Sequence, residues 1–208
     1  DKYNICLIFD EIQTGFGWLG ELSAGLKYDI RPDISVFGKA ITAGFGPLSM
    51  LVSAPKFAVL PYGSGEKTGG ADLRSVVAAH ATLDRLVGTS EQQHGLDEQR
   101  SRELRDGLLI RQKPLAKQLE TRLMEMVKNH GHTVSGVNGD GLMRCLVFHE
   151  EVEPEVVQKI ADRSYDLGVA VRHSEDGLLF KVPLIMRANE LELALESISQ
   201  AIGEATAI

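Results

Sequence analysis

The chain has 208 residues, 43% hydrophobic and 25% charged, with a formal net charge of −7. That composition supports one large or two small globular domains and excludes disorder and collagen-like repetition. Lysine and arginine are nowhere clustered among aromatics, which excludes a nucleic-acid partner. No apolar run reaches the roughly 18 residues of a membrane span and nothing at the start resembles a signal peptide, so no membrane association and a cytoplasmic location are expected.

In chain order, the apolar run 5–9 has the character of a strand buried on both faces of a parallel sheet. A first strand is therefore predicted over residues 4–10, with Asp10 at its carboxyl end, where open α/β sheets place their ligands. Gly15, Gly17 and Gly20 make a loop able to approach a ligand closely. A short helix over 21–28 is stopped by Arg31-Pro32, and 33–37 alternates as a second strand ending at Gly38-Lys39. Turn residues at 43–47 precede a third strand over 48–53, a helical turn from Pro55 and a second glycine-rich loop over 61–70. Leu73, Val76, Val77, Ala81, Leu83 and Leu86 recur at helical spacing, giving a helix over 72–86 with Asp72 as its N-cap.

Gly88 interrupts this pattern, and a long helical stretch over 91–130 follows, with Pro114 as a kink or boundary. The domain junction is placed here, dividing the chain into 1–90 and 91–208. Beyond it, strand-like runs at 132–137 and 142–148 flank Asn138-Gly139-Asp140-Gly141, a hairpin signal. A helix over 154–167, strands over 169–172 and 178–182 and a closing helix over 188–202 complete a small α+β unit. The fold class is thus α/β in the first part, with a mostly parallel sheet, and α+β in the second. Cys6 and Cys145 read as reduced core thiols. The first strand begins almost at once after Asp1, and the chain reads as cut from a longer one.

Two residues carry chemistry. A carboxylate at the end of a buried strand costs several kcal/mol to desolvate unless donors or a cation meet it. No lysine or arginine follows Asp10 closely, so either it caps a loop amide or its cation belongs to a ligand. Strand alternation puts Asp10 and Ile12 on one face and Glu11 on the other, offering an acid and a branched apolar side chain to one planar ligand. Lys39, at a strand end between Gly38 and Ala40 with no acid nearby, has the setting that lysine Schiff-base chemistry requires.

The segments Asp10-Glu11-Ile12-Gln13-Thr14-Gly15-Phe16-Gly17, Arg31-Pro32-Asp33-Ile34, Phe37-Gly38-Lys39-Ala40 and Gly44-Phe45-Gly46-Pro47-Leu48-Ser49 resemble the signature of class III aminotransferases, pyridoxal-phosphate enzymes of fold type I. The resemblance is dense over residues 4–88 and collinear to the end, where Gly139-Asp140-Gly141-Leu142-Met143 and Val182-Pro183-Leu184 are similar to small-domain strands of the family. It implies transamination between an amine or ω-amino acid donor and a 2-oxo acid acceptor through a lysine Schiff base. Residues 1–90 would belong to the cofactor-binding large domain and 91–208 to the C-terminal small domain with its linking helix.

By the same resemblance, Lys39 would carry pyridoxal 5′-phosphate and shuttle the proton, and Asp10 would keep the pyridine nitrogen protonated. Ile12 would pack on the ring and Gln13 would reach its phenolic oxygen. Thr68 would touch the partner's cofactor phosphate across a homodimer whose active site lies at the interface. An acid about 4 Å from a pyridinium gains about 4 kcal/mol at an effective dielectric near 20, roughly three pKa units.

Other signals are weighed and set aside. Glu66 stands where a phosphate loop needs glycine before Lys67. His130-Gly131-His132 lacks the acids or cysteines of a metal site, so no metal is expected. Two departures from the family matter: Trp18-Leu19 stands in place of Arg-Thr, with Trp18 either lining a substrate entrance or packing, and Lys181 is the only cation in the strand before Pro183. Lys181 either binds substrate carboxylate loosely or lies on a solvated edge. The family's upstream half, with its remaining sheet strands and phosphate cradle, is expected as a partner, and the chain alone is expected neither to fold stably nor to catalyse. A racemase, aminomutase or decarboxylase on the same scaffold, and a non-catalytic half needing a separately encoded partner, are the alternatives.

Overall fold

In the computed structural model the described residues are 3, 5–57, 59–61, 63–64, 70, 72–88 and 107–206. They fall into two compact units, residues 1–110 and 111–208. The expected junction near 90 lies outside the described residues.

The first unit is built on a three-stranded sheet of β1 (Ile8–Glu11), β2 (Ile34–Phe37) and β3 (Met50–Ser53), with β2 in the middle. β1 and β2 are parallel, Ile8 opposite Ile34 and Glu11 opposite Phe37, while β2 and β3 are antiparallel. The described part of the sheet thus carries one parallel and one antiparallel pairing. β1 starts later than predicted because the chain before it is held by a side chain. The Leu7 N–H donates to the Asp33 carboxyl at 2.9 Å, and Lys56 meets the same carboxyl at 2.7 Å. The hydrogen bond from Lys56, followed by that from Leu7, holds the Asp33 carboxyl below its ordinary range.

The expectation of a strand buried on both faces fails. Ile5 is 73% exposed, Ile8 58% and Leu51 62%, because among the described residues β1 and β3 are both sheet edges. Cys6 is exposed with them, so it is not a core thiol; Cys145 is half-buried, and burial pushes its thiol up.

The first helix shrinks to α1 (Ala24–Lys27), because Ser23 caps it by accepting from the Leu26 N–H at 3.1 Å and Asp29 follows with φ 53°. α2 (Leu73–Val87) has the predicted cap, the Asp72 carboxyl accepting from the Ser75 N–H at 3.1 Å. Its burial differs from the apolar pattern: Ser75 and Ala79 are buried, whereas Leu73 is 74% and Val77 61% exposed.

The long helix α3 (Gly107–Asn129) runs through Pro114 without a break. The proline lies on an exposed face, where water can take the carbonyl that its missing N–H would have bonded.

The second unit is a four-stranded antiparallel sheet ordered β4-β5-β7-β6: β4 (Val134–Asp140), β5 (Met143–Phe148), β6 (Arg172–His173) and β7 (Gly177–Lys181). β4 runs through most of the predicted turn, and the connection tightens to Gly141-Leu142, with Asp140 opposite Met143. Gly139 has φ 92°, and a Cβ there would overlap the Met143 carbonyl oxygen, so the register needs glycine. Arg144, its side chain 12% exposed, locks the turn by donating to the Gly139 carbonyl at 2.9 Å and the Gly141 carbonyl at 3.3 Å.

α4 (Pro154–Asp166) packs on α5 (Ala188–Thr206) and on β6 and β7. Leu119, Leu123, Leu142, Leu146, Ile160, Leu178 and Ile202 are all fully buried. Each contributes roughly 1.5–3 kcal/mol, which lets this unit close a core of its own.

Candidate functional site

The two faces of the first sheet differ. Strand pairing sets Glu11 beside Phe37 and Phe9 beside Ser35 on one face, and Asp10 beside Val36 and Ile8 beside Ile34 on the other. The first face is closed by the loop after β1. Phe16 meets Phe37 edge to face, with ring centroids 5.6 Å apart at 83°. A Cβ on Gly15 would lie 2.8 Å from the Phe37 ring, so that approach is open only to glycine. The loop folds back on itself, the Phe16 N–H donating to the Leu22 carbonyl at 2.9 Å and the Gly17 N–H to the Glu21 carbonyl at 3.2 Å.

Asp10 stands on the open face. It is exposed rather than buried, and its carboxyl accepts the Ile12 N–H at 3.0 Å. That bond is the loop-capping contact foreseen as one of its two readings. Among the described residues no cation pairs with it, so a cationic ligand atom on the open face would meet an acid already oriented by the backbone.

Lys39 opens a 3₁₀ turn, Lys39–Thr42, in the left-handed region at φ 42°. For a residue with a Cβ this costs roughly 1–2 kcal/mol. The turn is anchored from below: Ile41 and Thr42 are 3% and 1% exposed, and the Thr42 hydroxyl donates to the Gly46 carbonyl at 2.7 Å. Lys39 itself is exposed, and its Nζ donates to Gln13 Oε1 at 3.1 Å. A Cβ on the adjacent Gly38 would sit 3.5 Å from Ile12 Cγ2. Ile12 and Gln13 from the end of β1 thus meet Gly38 and Lys39 from the end of β2, with Asp10 one residue before Glu11 at the head of the same loop.

The remaining site residues divide as follows. Trp18 is half-buried in the loop after Gly17. Lys181 ends β7 in the second unit, half-buried beside a cavity of about 100 Å³ also lined by Val171, Val182, Pro183 and Met186. Thr68 lies outside the described residues. No group of three His, Cys, Asp or Glu able to hold a metal occurs among the described residues, and no helix among them is long and apolar enough to cross a membrane. Sequence reading passed over Glu11, the one acid of this sheet that is fully buried, at 1% exposed. The signal for it was the second acid of Asp10-Glu11, assigned to the opposite face and given no task.

An α/β sheet unit and an α+β unit are parts of the fold type I arrangement, which solved relatives of the chain share. A family model described as "Aminotransferase class-III" matches residues 1–202. The chain belongs to the class III aminotransferase family, whose members are pyridoxal-phosphate-dependent.

Among curated relatives it is 28% identical to an alanine/serine racemase of Pyrococcus horikoshii over 98% of this chain and 40% of that protein. It is also 28% identical to acetylornithine aminotransferase 1 of Bradyrhizobium diazoefficiens, over 97% of this chain and 44% of that protein. A solved structure of ornithine δ-aminotransferase from Plasmodium falciparum shares the fold, with a TM-score of 0.80 at 22% identity over 98% of this chain and 49% of that one. The chain thus spans less than half the length of these proteins.

The residues present fit pyridoxal phosphate by the chemistry of the donor set. Lys39 offers a primary amine to an aldehyde, Gln13 an amide, and Asp10 an exposed acid with no protein cation among the described residues.

Proposed function

We propose that this chain carries the catalytic lysine of a transaminase that moves an amino group between an amine or ω-amino acid and a 2-oxo acid, with Lys39 holding the cofactor. The observation that supports it is the 3.1 Å bond from Lys39 Nζ to Gln13 Oε1 at adjoining strand ends, beside an acid on the open face. Bound there, pyridoxal phosphate supplies an electron-withdrawing ring that stabilises negative charge at the substrate α-carbon.

Asp10 would hold positive charge on the ring nitrogen, Ile12 would pack on the ring, and Gln13 would meet the phenolic oxygen. Once substrate amine has displaced it from the cofactor, the Lys39 amine would take the proton from the substrate α-carbon. Thr68 would serve a phosphate across a homodimer interface, and Trp18, half-buried in the loop after Gly17, would line the substrate entrance. In this reading residues 1–90 belong to the large domain and 91–208 to the small one. The upstream half of the enzyme completes the site. The two unpaired cysteines support a cytoplasmic setting.

Borohydride reduction of the cofactor-loaded protein should fix the cofactor to the peptide containing Lys39, read by mass. Covalent label in Lys39→Ala would end the assignment.

The likeness to an alanine/serine racemase over 98% of the chain favours a second reading, inversion of an α-amino acid with the same lysine and acid. Consumption of a 2-oxo acid supports transamination; loss of optical rotation from a single amino acid without it supports racemisation.

A further inference from the structure

Glu11 is a buried acid without a cation among the described residues. At 1% exposed, it accepts from the Thr14 hydroxyl at 2.8 Å and from the Gly25 N–H at 3.2 Å. Burying an acid is costly, and a leucine of similar volume would pack beside Phe37 without that cost. What leucine cannot do is hold two separated stretches at once. Thr14 lies one residue past Gln13, and Gly25 lies in α1.

Gln13 is therefore bracketed. On one side the Ile12 N–H is held by Asp10 at 3.0 Å. On the other, Thr14 is held by the Glu11 side chain, and the Gly15 N–H by the Glu11 carbonyl at 3.0 Å. The backbone bond alone leaves the Thr14 side free to swing; the carboxyl bond fixes it. Gln13 in turn accepts from Lys39. We propose that Glu11 is a positioning residue, which by tying Thr14 and Gly25 to the end of β1 sets the Gln13 amide against the Lys39 amine. This rests on the reading of Lys39 as the cofactor-bearing residue.

Three variants test it: Glu11→Leu fills the space and removes the acceptor, Glu11→Gln keeps an acceptor, and Thr14→Val removes only the hydroxyl. In the cofactor-free protein, amide exchange at Gly15 should quicken by about tenfold or more in Glu11→Leu and Thr14→Val and at Gly25 in Glu11→Leu, with Glu11→Gln close to the parent. In the pyridoxal-phosphate-loaded protein, the pH midpoint of the visible absorption band should move by about half a unit or more in the same two variants and return in Glu11→Gln. A lowered melting temperature with both readouts unchanged would make Glu11 a filler and overturn the proposal. If Glu11→Leu does not fold, Thr14→Val decides alone by the same readouts. Should Lys39→Ala retain borohydride-fixed cofactor, the function assigned to Lys39 fails, while the exchange rates still decide whether Glu11 holds Gln13.

Discussion

The two units of this chain solve opposite problems. Residues 111–208 bury Leu119, Leu123, Leu146, Ile160, Leu178 and Ile202 completely among three helices and a sheet. Residues 1–110 leave Ile8, Leu51, Leu73 and Val77 exposed, yet hold the acid, amide and amine of the candidate site. In the second unit burial is spent on stability. In the first, order comes from polar ties such as Asp33 to Leu7 and Lys56, Glu11 to Thr14 and Gly25, and Thr42 to Gly46. The lesson is that local hydrogen bonds can arrange a site on a sheet whose apolar side chains, among the described residues, remain largely exposed.

Four perturbations test that contrast. The largest effect is expected for Asp10→Asn: if Asp10 meets the ring nitrogen as proposed, losing its charge at about 4 Å and an effective dielectric near 20 would remove about 4 kcal/mol, a drop of about a thousandfold in turnover. Because Asp10 is exposed, the melting temperature should hardly move; a large drop in melting with turnover intact would reverse the roles assigned to the first unit. Leu146→Ala, fully buried in β5, should cost about 2–5 kcal/mol in denaturant unfolding, against about 0.5 kcal/mol or less for the exposed Leu51→Ala. Equal costs would show that the first unit has a closed core after all.

Gly139→Ala should lose about 1–3 kcal/mol and shift the amide resonances of β4 and β5, since φ 92° and the Met143 carbonyl both exclude a side chain. The smallest effect is pH-dependent. Burial lowers the His130 pKa from its ordinary 6.5, and its ring bonds Ser199 at 2.9 Å. As pH falls through 6.5 the unfolded chain takes up the proton first, so stability present at neutrality declines until the folded ring is protonated too. The denaturant midpoint should fall as pH drops below 6.5, and His130→Gln should flatten that slope.

Much of the second unit was legible because its signals are local. Pro154 at the start of α4 and the Asn138–Gly141 glycines each act within a few residues, and the structure keeps both elements. Pro114 misled because a proline on an exposed helix face is tolerated, and sequence does not say which face meets water. The apolar run 5–9 misled for a related reason: hydrophobicity announces a wish for burial, while its fulfilment depends on which strands lie alongside, and among the described residues β1 has β2 on one side only.

By itself the sequence determined the family, the positions of Asp10, Gln13 and Lys39 at strand ends, and the Asp72 cap, because these rest on residue types at fixed short spacings. Only the tertiary structure decided which acid is buried. Asp10 and Glu11 are chemically alike and adjacent, and it is the loop closing over Phe37 that takes Glu11 out of water and leaves Asp10 in it. It also decided that Lys39 sits in a left-handed turn against Gln13, a contact between residues 26 apart that no local pattern encodes.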